Sequence, residues 1–207
     1  MKVKFKSKLA ISIVAAIAAS TSAFADDHSQ NGPKWDLIEV GYVEADIDDF
    51  DSSPSGFSGA FSKSLGKGFY LTGRYRDVSE DVVAFGQSVE LDVSQLSLGA
   101  GYSLHVTDTT DVYGQITYEN LELGASGAGG SDSEDENGFG AEIGVRSMLT
   151  EKFELGAKIG YLDVADESET TFGASAYYYV TDSLAIGATY EMWEDVDFMG
   201  LNLRYAF

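Results

Sequence analysis

The sequence of 207 residues contains no cysteine, which excludes a disulfide framework, a thiolate metal site and a cysteine nucleophile. Its two histidines, His28 and His105, leave few candidates for histidine-based catalysis or zinc binding. Bases are also scarce: 13 lysines and arginines stand against 34 acids, giving a net charge of -21, whereas a nucleic-acid binder needs a basic face. Two prolines beside 23 glycines, 12 tyrosines and 12 phenylalanines favour β-structure with many turns.

The first 25 residues have the pattern of a cleaved secretory signal peptide. Four lysines precede an apolar run from Leu9 to Ala19, which is shorter than the roughly 20 residues of a membrane-spanning helix. Ala23 and Ala25 form the small-x-small pattern of a signal cleavage site. The sequence therefore predicts export across an inner membrane and removal of residues 1–25, which leaves the mature chain still more acidic.

From Trp35 onward, apolar and polar residues alternate with the period of two that is typical of β-strands. The last segment shows this well, because Leu201, Leu203, Tyr205 and Phe207 alternate with smaller or polar residues. Ten segments are predicted, at residues 35–46, 56–65, 69–77, 89–104, 111–123, 138–148, 153–163, 170–180, 184–191 and 196–207.

The connections between these segments alternate in kind. One set is short, and three of its turns share an apolar-Thr-acid pattern, at 106–108, 149–151 and 180–182. The other set is mostly longer, is rich in glycine, serine and acid, and lies at about 47–55, 78–88, 124–137, 164–169 and 192–195. None of the nine bases of the mature chain falls in this second set. The pattern predicts short turns at one end of the molecule and acidic loops at the other.

An even number of antiparallel strands with this arrangement of turns predicts an all-β fold, a transmembrane antiparallel up-and-down β-barrel of ten strands, with eight as the alternative. A soluble barrel with its apolar side chains inside would show the same alternation. Aromatic residues near the strand ends favour the membrane barrel, since such residues form interfacial girdles. They are Tyr42, Phe69, Tyr102, Tyr118, Tyr161, Tyr178, Tyr190 and Tyr205. The predicted organisation is a signal peptide at 1–25, a periplasmic leader at 26–34 and the barrel at 35–207.

These features resemble the small Gram-negative outer-membrane β-barrel proteins, the broad superfamily of the OmpA membrane domain and the opacity adhesins. The resemblance covers the whole mature chain and is most specific at the terminal residues 200–207, which end in phenylalanine. It implies that Leu203, Tyr205 and Phe207 belong to an assembly signal for the barrel-insertion machinery. It also implies a place in the bacterial outer membrane, beside its lipid and lipopolysaccharide. With an even strand count, we expect extracellular loops and periplasmic termini.

If the apolar residues of each strand face lipid, the residues that alternate with them face the lumen. These lumen positions carry equal numbers of acidic and basic residues. The predicted lumen bases are Arg74, Arg76, Arg146, Lys158 and Arg204, and the predicted lumen acids are Glu39, Glu119, Glu142, Glu154 and Glu191. A buried charge is tolerated when it is paired, so we expect a network of ion pairs. On the same face, Tyr70, Tyr113, Gln115 and Tyr177 are expected to fill much of the remaining space.

The predicted function is that of a non-enzymatic outer-membrane protein with acidic extracellular loops, a structural or surface-interaction role and a lumen plugged by ion pairs. The alternative is a narrow porin-like channel for small solutes or ions, in which the same charges line the pore. No catalytic residue and no cofactor is predicted, because both histidines lie away from the acidic end. Asp132, Glu134 and Glu136 could offer oxygens to calcium, but the glycine and closing glutamate of an EF-hand are missing. Solvated charge is favoured there, and divalent cations that bridge the acidic loops to lipopolysaccharide are a partner hypothesis.

Overall fold

Ten antiparallel strands close into a barrel in which the first strand pairs with the last. The computed structural model describes residues 31–47, 53–84, 87–127, 130–165 and 167–207, so the predicted signal peptide lies outside the described residues. The strands are β1 (Leu37–Ile47), β2 (Ser55–Gly66), β3 (Phe69–Ala84), β4 (Gln87–Thr107), β5 (Thr110–Gly127), β6 (Gly130–Thr150), β7 (Phe153–Val164), β8 (Glu167–Tyr179), β9 (Leu184–Met192) and β10 (Val196–Ala206). The prediction of an all-β barrel of ten strands is confirmed, and the eight-strand alternative is wrong. The described residues include no helix long and apolar enough to cross a membrane.

The apolar face of the barrel is its outer surface. All eight aromatic residues predicted for the girdles are exposed, from 37% at Tyr190 to 57% at Phe69. Large aliphatic side chains of the same parity are exposed between them, among them Ile116 and Leu201. A soluble barrel would bury these side chains in its interior, so this surface is suited to lipid.

One level of the outer surface is marked by tyrosines that bond to neighbouring polar residues. The Tyr75 hydroxyl donates to Asp77 at 2.7 Å, and the Tyr190 hydroxyl donates to Asp197 at 2.7 Å. Tyr118 and Tyr161 bond in the same way to Asn137 and Asp163, respectively. Tyrosine prefers a place where its ring is in lipid and its hydroxyl is wet. These four residues therefore mark the membrane interface at the end of the barrel that carries the longer connections, which we call the acidic end.

Four strands continue well past this interface. β3, β4, β5 and β6 have 16, 21, 18 and 21 residues, whereas a strand crosses a membrane in about 9–11. Their ends, residues 77–84, 87–95, 119–127 and 130–137, form a four-stranded extension that we call the raised sheet. Its outermost strand, the first part of β6, has no partner on its other side among the described residues, because the pairing of β6 with β7 begins at Gly138.

The raised sheet corrects the prediction of loops at 78–88 and 124–137. Most of these residues are strand, because they find partners across two long hairpins, as Val78 does with Val93 and Leu123 does with Glu134. The loop expected at 164–169 is likewise short, since β8 begins at Glu167. Most of the expected 47–55 loop lies outside the described residues.

The repeated threonine of the short turns has a direct structural role. The Thr150 hydroxyl accepts from the backbone N–H groups of Lys152 and Phe153, at 3.3 and 3.1 Å. The Thr181 hydroxyl accepts from the two equivalent N–H groups, and the Thr107 hydroxyl accepts from one. A hydroxyl that bonds the backbone two or three residues on stabilises a tight turn. The repeat found in the sequence is thus a repeat of turn chemistry.

Gly101 is expected to be required for the packing of the interior. A Cβ at this position would lie 2.4 Å from the ring of Tyr70, a side chain that is 2% exposed and that cannot withdraw. Gly101→Ala should lower the free energy of unfolding by about 1–3 kcal/mol, because overpacking strains the core. Urea unfolding in detergent micelles measures this.

The matched control is Gly59→Ala on the outer face, where a Cβ meets its nearest atom at 3.7 Å. It should change the free energy of unfolding by less than about 0.5 kcal/mol. Equal effects of the two substitutions would contradict this packing.

Candidate functional site: the barrel interior

The charged side chains of the lumen form two clusters, and the larger one is centred on Glu191. Arg74 and Arg76 bond to its carboxylate at 3.2 and 2.8 Å, and the Lys158 ammonium lies at 2.5 Å. Lys158 also pairs with Glu142 at 2.9 Å. Three bases thus share two carboxylates, and each cation is within direct contact of at least one negative charge.

The second cluster lies nearer the short turns and joins Arg146 and Arg204 to Glu154 and Glu39. Both guanidinium groups reach Glu154, at 2.8 and 2.9 Å, and Arg204 also bonds to Glu39 at 2.8 Å. The Arg204 guanidinium carbon lies 3.4 Å from the centre of the Tyr177 ring. Its charge is therefore stabilised by two carboxylates and by an aromatic face.

Tyrosines and an amide add hydrogen bonds to both clusters, although the Nη2 atom of Arg146 is buried without a hydrogen-bond partner. The hydroxyl of Tyr113 donates to Glu142 at 2.8 Å, and that of Tyr177 donates to Glu39 at 2.7 Å. The hydroxyl of Tyr70 donates to the side-chain oxygen of Gln115 at 3.0 Å. All four residues predicted to fill the lumen lie in it.

Of the ten charges predicted for the lumen, Glu119 differs from the others. Its partners are polar and uncharged: Gln95 donates to it at 3.0 Å, Ser97 at 2.5 Å and Thr117 at 2.6 Å. Glu119 is 5% exposed, so these three donors hold a buried carboxylate. The other nine predicted charges lie in contact with a charge of opposite sign.

A sixth lumen acid, Asp111, was missed by the sequence prediction. It is fully buried at the end of the barrel that carries the short turns, where its carboxylate contacts His105 and accepts from the indole N–H of Trp35 at 2.6 Å. Asp111 shares the lumen parity of Tyr113 and Gln115, so the alternation of β5 could have identified it.

Trp35 closes the short-turn end. It was predicted as the first strand residue, but β1 begins at Leu37, and Trp35 precedes it with its ring inside the barrel, 4% exposed. The ring packs on Tyr70 at 4.4 Å and on Tyr113 at 5.5 Å, and Arg146 lies 4.7 Å from its centre. A buried apolar cluster beside it is formed by Leu37, Tyr177, Tyr179, Ala185 and Ala206.

The opposite end of the charged network also meets apolar side chains. Arg76 lies 3.8 Å from the ring centre of Phe198 and 5.6 Å from that of Trp193. Val43 and Val78 are 5% and 3% exposed at this level. Aromatic and aliphatic side chains therefore border the clusters of ion pairs at both ends.

The described residues leave cavities of about 230 and 50 Å³ in the lumen. Both are bordered by Arg74, Glu142, Lys158 and Glu191, the larger cluster of ion pairs. The larger cavity extends to Trp35 at one end and to Phe198 at the other. Cavities of this size and polarity hold several water molecules, which hydrate charges that are not fully enclosed by protein atoms.

No group of three or more acids and histidines in the described part of the chain is arranged to hold a metal ion. Asp132, Glu134 and Glu136 lie on one face of the raised sheet, at alternate positions of β6. Divalent cations at the acidic end therefore stay a proposal.

Comparison with known proteins gives a family and several related folds. The family model described as "Outer membrane protein beta-barrel domain" matches residues 11–191. No curated protein matches the sequence. Among solved structures, the β domain of the Bordetella autotransporter BrkA has a TM-score of 0.52 at 12% identity, over 84% of this chain and 100% of that one. The translocator domain of autotransporter NalP from Neisseria meningitidis has a TM-score of 0.51 at 11% identity, over 97% and 96%. Ail, the attachment invasion locus protein of Yersinia pestis, has a TM-score of 0.47 at 16% identity, over 84% and 100%. At these identities the similarity concerns the fold alone.

Proposed function

The chain belongs to the outer membrane protein β-barrel domain family, and from this membership we propose that it is a non-enzymatic surface protein with a closed lumen. The barrel anchors the acidic raised sheet in the outer membrane and presents it to the exterior. The role is structural or one of surface interaction, and passage of solutes is not part of it.

The pairing of the lumen cations is the observation that carries this proposal. Each of the five bases lies within 3.2 Å of a glutamate oxygen. Among the described residues, Trp35 and the apolar cluster beside it fill the short-turn end, which supports a lumen closed to solutes. Ion pairs of this kind join strands that are not neighbours in the ring, as Arg74 on β3 and Glu191 on β9 do.

A second candidate function, a narrow porin-like channel, is favoured by the cavity of about 230 Å³. In that case, Arg74, Lys158 and Glu191 would line a constriction and set its ion preference. Opening would require Trp35 to leave its contacts with Tyr70 and Asp111. We favour the closed barrel because both contacts are buried and the contact with Asp111 is a hydrogen bond.

The outer surface supports two further proposals about partners. Lipid and lipopolysaccharide contact the apolar girdle, and the acidic end stands beside their phosphates. The terminal strand β10 presents Leu203 and Tyr205 outward, and the Tyr205 ring stacks on Phe207 at 6.2 Å. We propose that this strand is the segment recognised by the barrel-insertion machinery.

Conductance in planar lipid bilayers tests the closed lumen. The wild-type protein should show no steady conductance. Arg74→Ala combined with Arg204→Ala should lower the free energy of unfolding by about 3 kcal/mol, because it leaves Glu39 without a cation and removes one cation each from Glu191 and Glu154, and should open a leak. Conductance and urea unfolding would be measured on the same preparation.

Lys152→Ala supplies the control, since it removes a base from an exposed short turn. It should change the free energy of unfolding by less than about 0.5 kcal/mol and produce no conductance across the bilayer. A stable, ion-selective wild-type conductance, shifted in ion preference by the double substitution, would reject the closed barrel in favour of the channel.

The proposed orientation places the raised sheet outside the cell and both chain ends in the periplasm. An epitope inserted at Gly127, at the tip of the β5–β6 hairpin, should be labelled on intact cells. An epitope inserted after Lys67, in the short turn between β2 and β3, should be labelled only after the outer membrane is permeabilised. The reverse pattern would overturn the orientation.

A further inference from the structure

In the raised sheet, above the membrane interface, the apolar and polar residues lie on the opposite faces from those that they occupy within the membrane. Within the membrane, outward positions are apolar and lumen positions are polar. Above it, the lumen face of β4 continues from Gln95 to Val93 and Leu91, and that of β5 continues from Glu119 to Leu121 and Leu123. The outward face carries the polar residues instead: Asp77, Ser79, Asp81, Glu90, Asp92, Asn120 and Glu122.

This exchange gives the raised sheet an apolar stripe two strands wide. Leu91 and Leu123 are 37% and 48% exposed, although they lie on the face that is buried lower down in the barrel. The register sets Val93 opposite Leu123, and it sets Leu91 opposite Ala125. Neighbouring strands are about 4.8 Å apart, so the stripe is as wide as one face of an α-helix.

Carboxylates border the stripe on both sides. On β6, Glu136 lies opposite Leu121 and Glu134 lies opposite Leu123, which puts both acids on the same face as the leucines. On β3, Glu80 lies opposite Leu91. The face is therefore apolar along its centre, with Glu134 and Glu136 on its β6 margin and a single carboxylate, Glu80, on its β3 margin.

We propose that this face binds a basic amphipathic helix supplied by another molecule. The apolar side of such a helix would lie along the stripe, and lysine or arginine side chains on each flank would reach the two margins. The inference rests on the proposed function, because it requires the raised sheet to project from the membrane into an environment where it meets partners.

Charge complementarity selects this occupant over a copy of the chain itself. The mature protein is strongly acidic, and its nine bases lie in the lumen, in the leader, in short turns or on β2. A second copy would bring more carboxylates to the margins formed by Glu80 and Glu134, and like charges at an interface cost several kcal/mol. The partner must therefore contribute both the bases and the apolar surface.

A synthetic peptide tests the proposal. The probe has 18 residues, with leucines at helix spacing on one face and lysines on both flanks. It is titrated by calorimetry into the full-length mature protein in nanodiscs of zwitterionic phosphatidylcholine, with empty nanodiscs as the baseline. A peptide of the same composition, scrambled to remove the apolar face, should bind at least about tenfold more weakly.

Paired variants locate the binding surface. Leu91→Ser with Leu123→Ser should weaken binding by at least about tenfold, since burial of two leucines is lost. Glu134→Gln with Glu136→Gln should weaken it by about 3- to 10-fold and flatten its salt dependence. The control, Asp92→Asn with Asp135→Asn, removes the same number of charges from the outward face of the raised sheet, on β4 and β6, and should change affinity by less than about twofold.

Three results would overturn the inference. They are binding to empty nanodiscs alone, an equal loss from the outward control, or affinity that is unchanged by the two leucine substitutions. Retention of the folded, heat-modifiable form by each variant shows that a loss of binding is local. Conductance and epitope exposure are independent of this titration, so its failure is distinguishable from failure of the proposed function.

Discussion

Pairing of charge inside a closed ring of strands is the constraint on which the rest of this structure depends. Five cationic side chains point into the lumen, where they are largely shielded from solvent, so each needs a counter-charge inside the barrel. For three of the five bases, glutamates from distant parts of the chain supply it: Arg204 meets Glu39 across 165 residues of sequence, and Arg74 and Arg76 meet Glu191 across 117 and 115. Such pairs form only when the barrel closes, which makes closure and charge neutralisation a single event.

The lumen charges could be predicted from the sequence because strand alternation assigns each residue to one face of the barrel. This assignment is correct for all ten predicted charges. It could not predict the partners, because contacts across the lumen depend on strand tilt and on the closure of β1 against β10. Trp35 was misplaced for a related reason. Trp35 continues the alternation of Leu37 and Glu39, so it was assigned to the first strand. No local feature of the sequence indicates that the strand begins only at Leu37 and that the Trp35 side chain closes the lumen in front of it.

The raised sheet was missed for a different reason. Glycine, serine and acid over residues 124–137 have the composition of a loop, yet residues up to Gly127 and from Gly130 onward pair as strands. The decisive signal is the exchange of faces, in which leucines move from the lipid parity to the lumen parity after Tyr118. A strand that leaves lipid for water reverses the face on which apolar residues are stable, so the exchange marks the interface as well as the continuation of the strand.

The barrel thus has two parts with different physical tasks. The membrane part satisfies its buried charges internally, and the part above the girdle tyrosines has a polar outward face and an acid-bordered apolar face. A double-mutant cycle on Arg146 and Glu154, whose side chains lie 2.8 Å apart, tests the internal pairing most directly. With Arg146→Met, Glu154→Gln and the combined variant, urea unfolding in micelles should give a coupling energy of about 1–3 kcal/mol. Additivity of the two substitutions within about 0.5 kcal/mol would contradict the account.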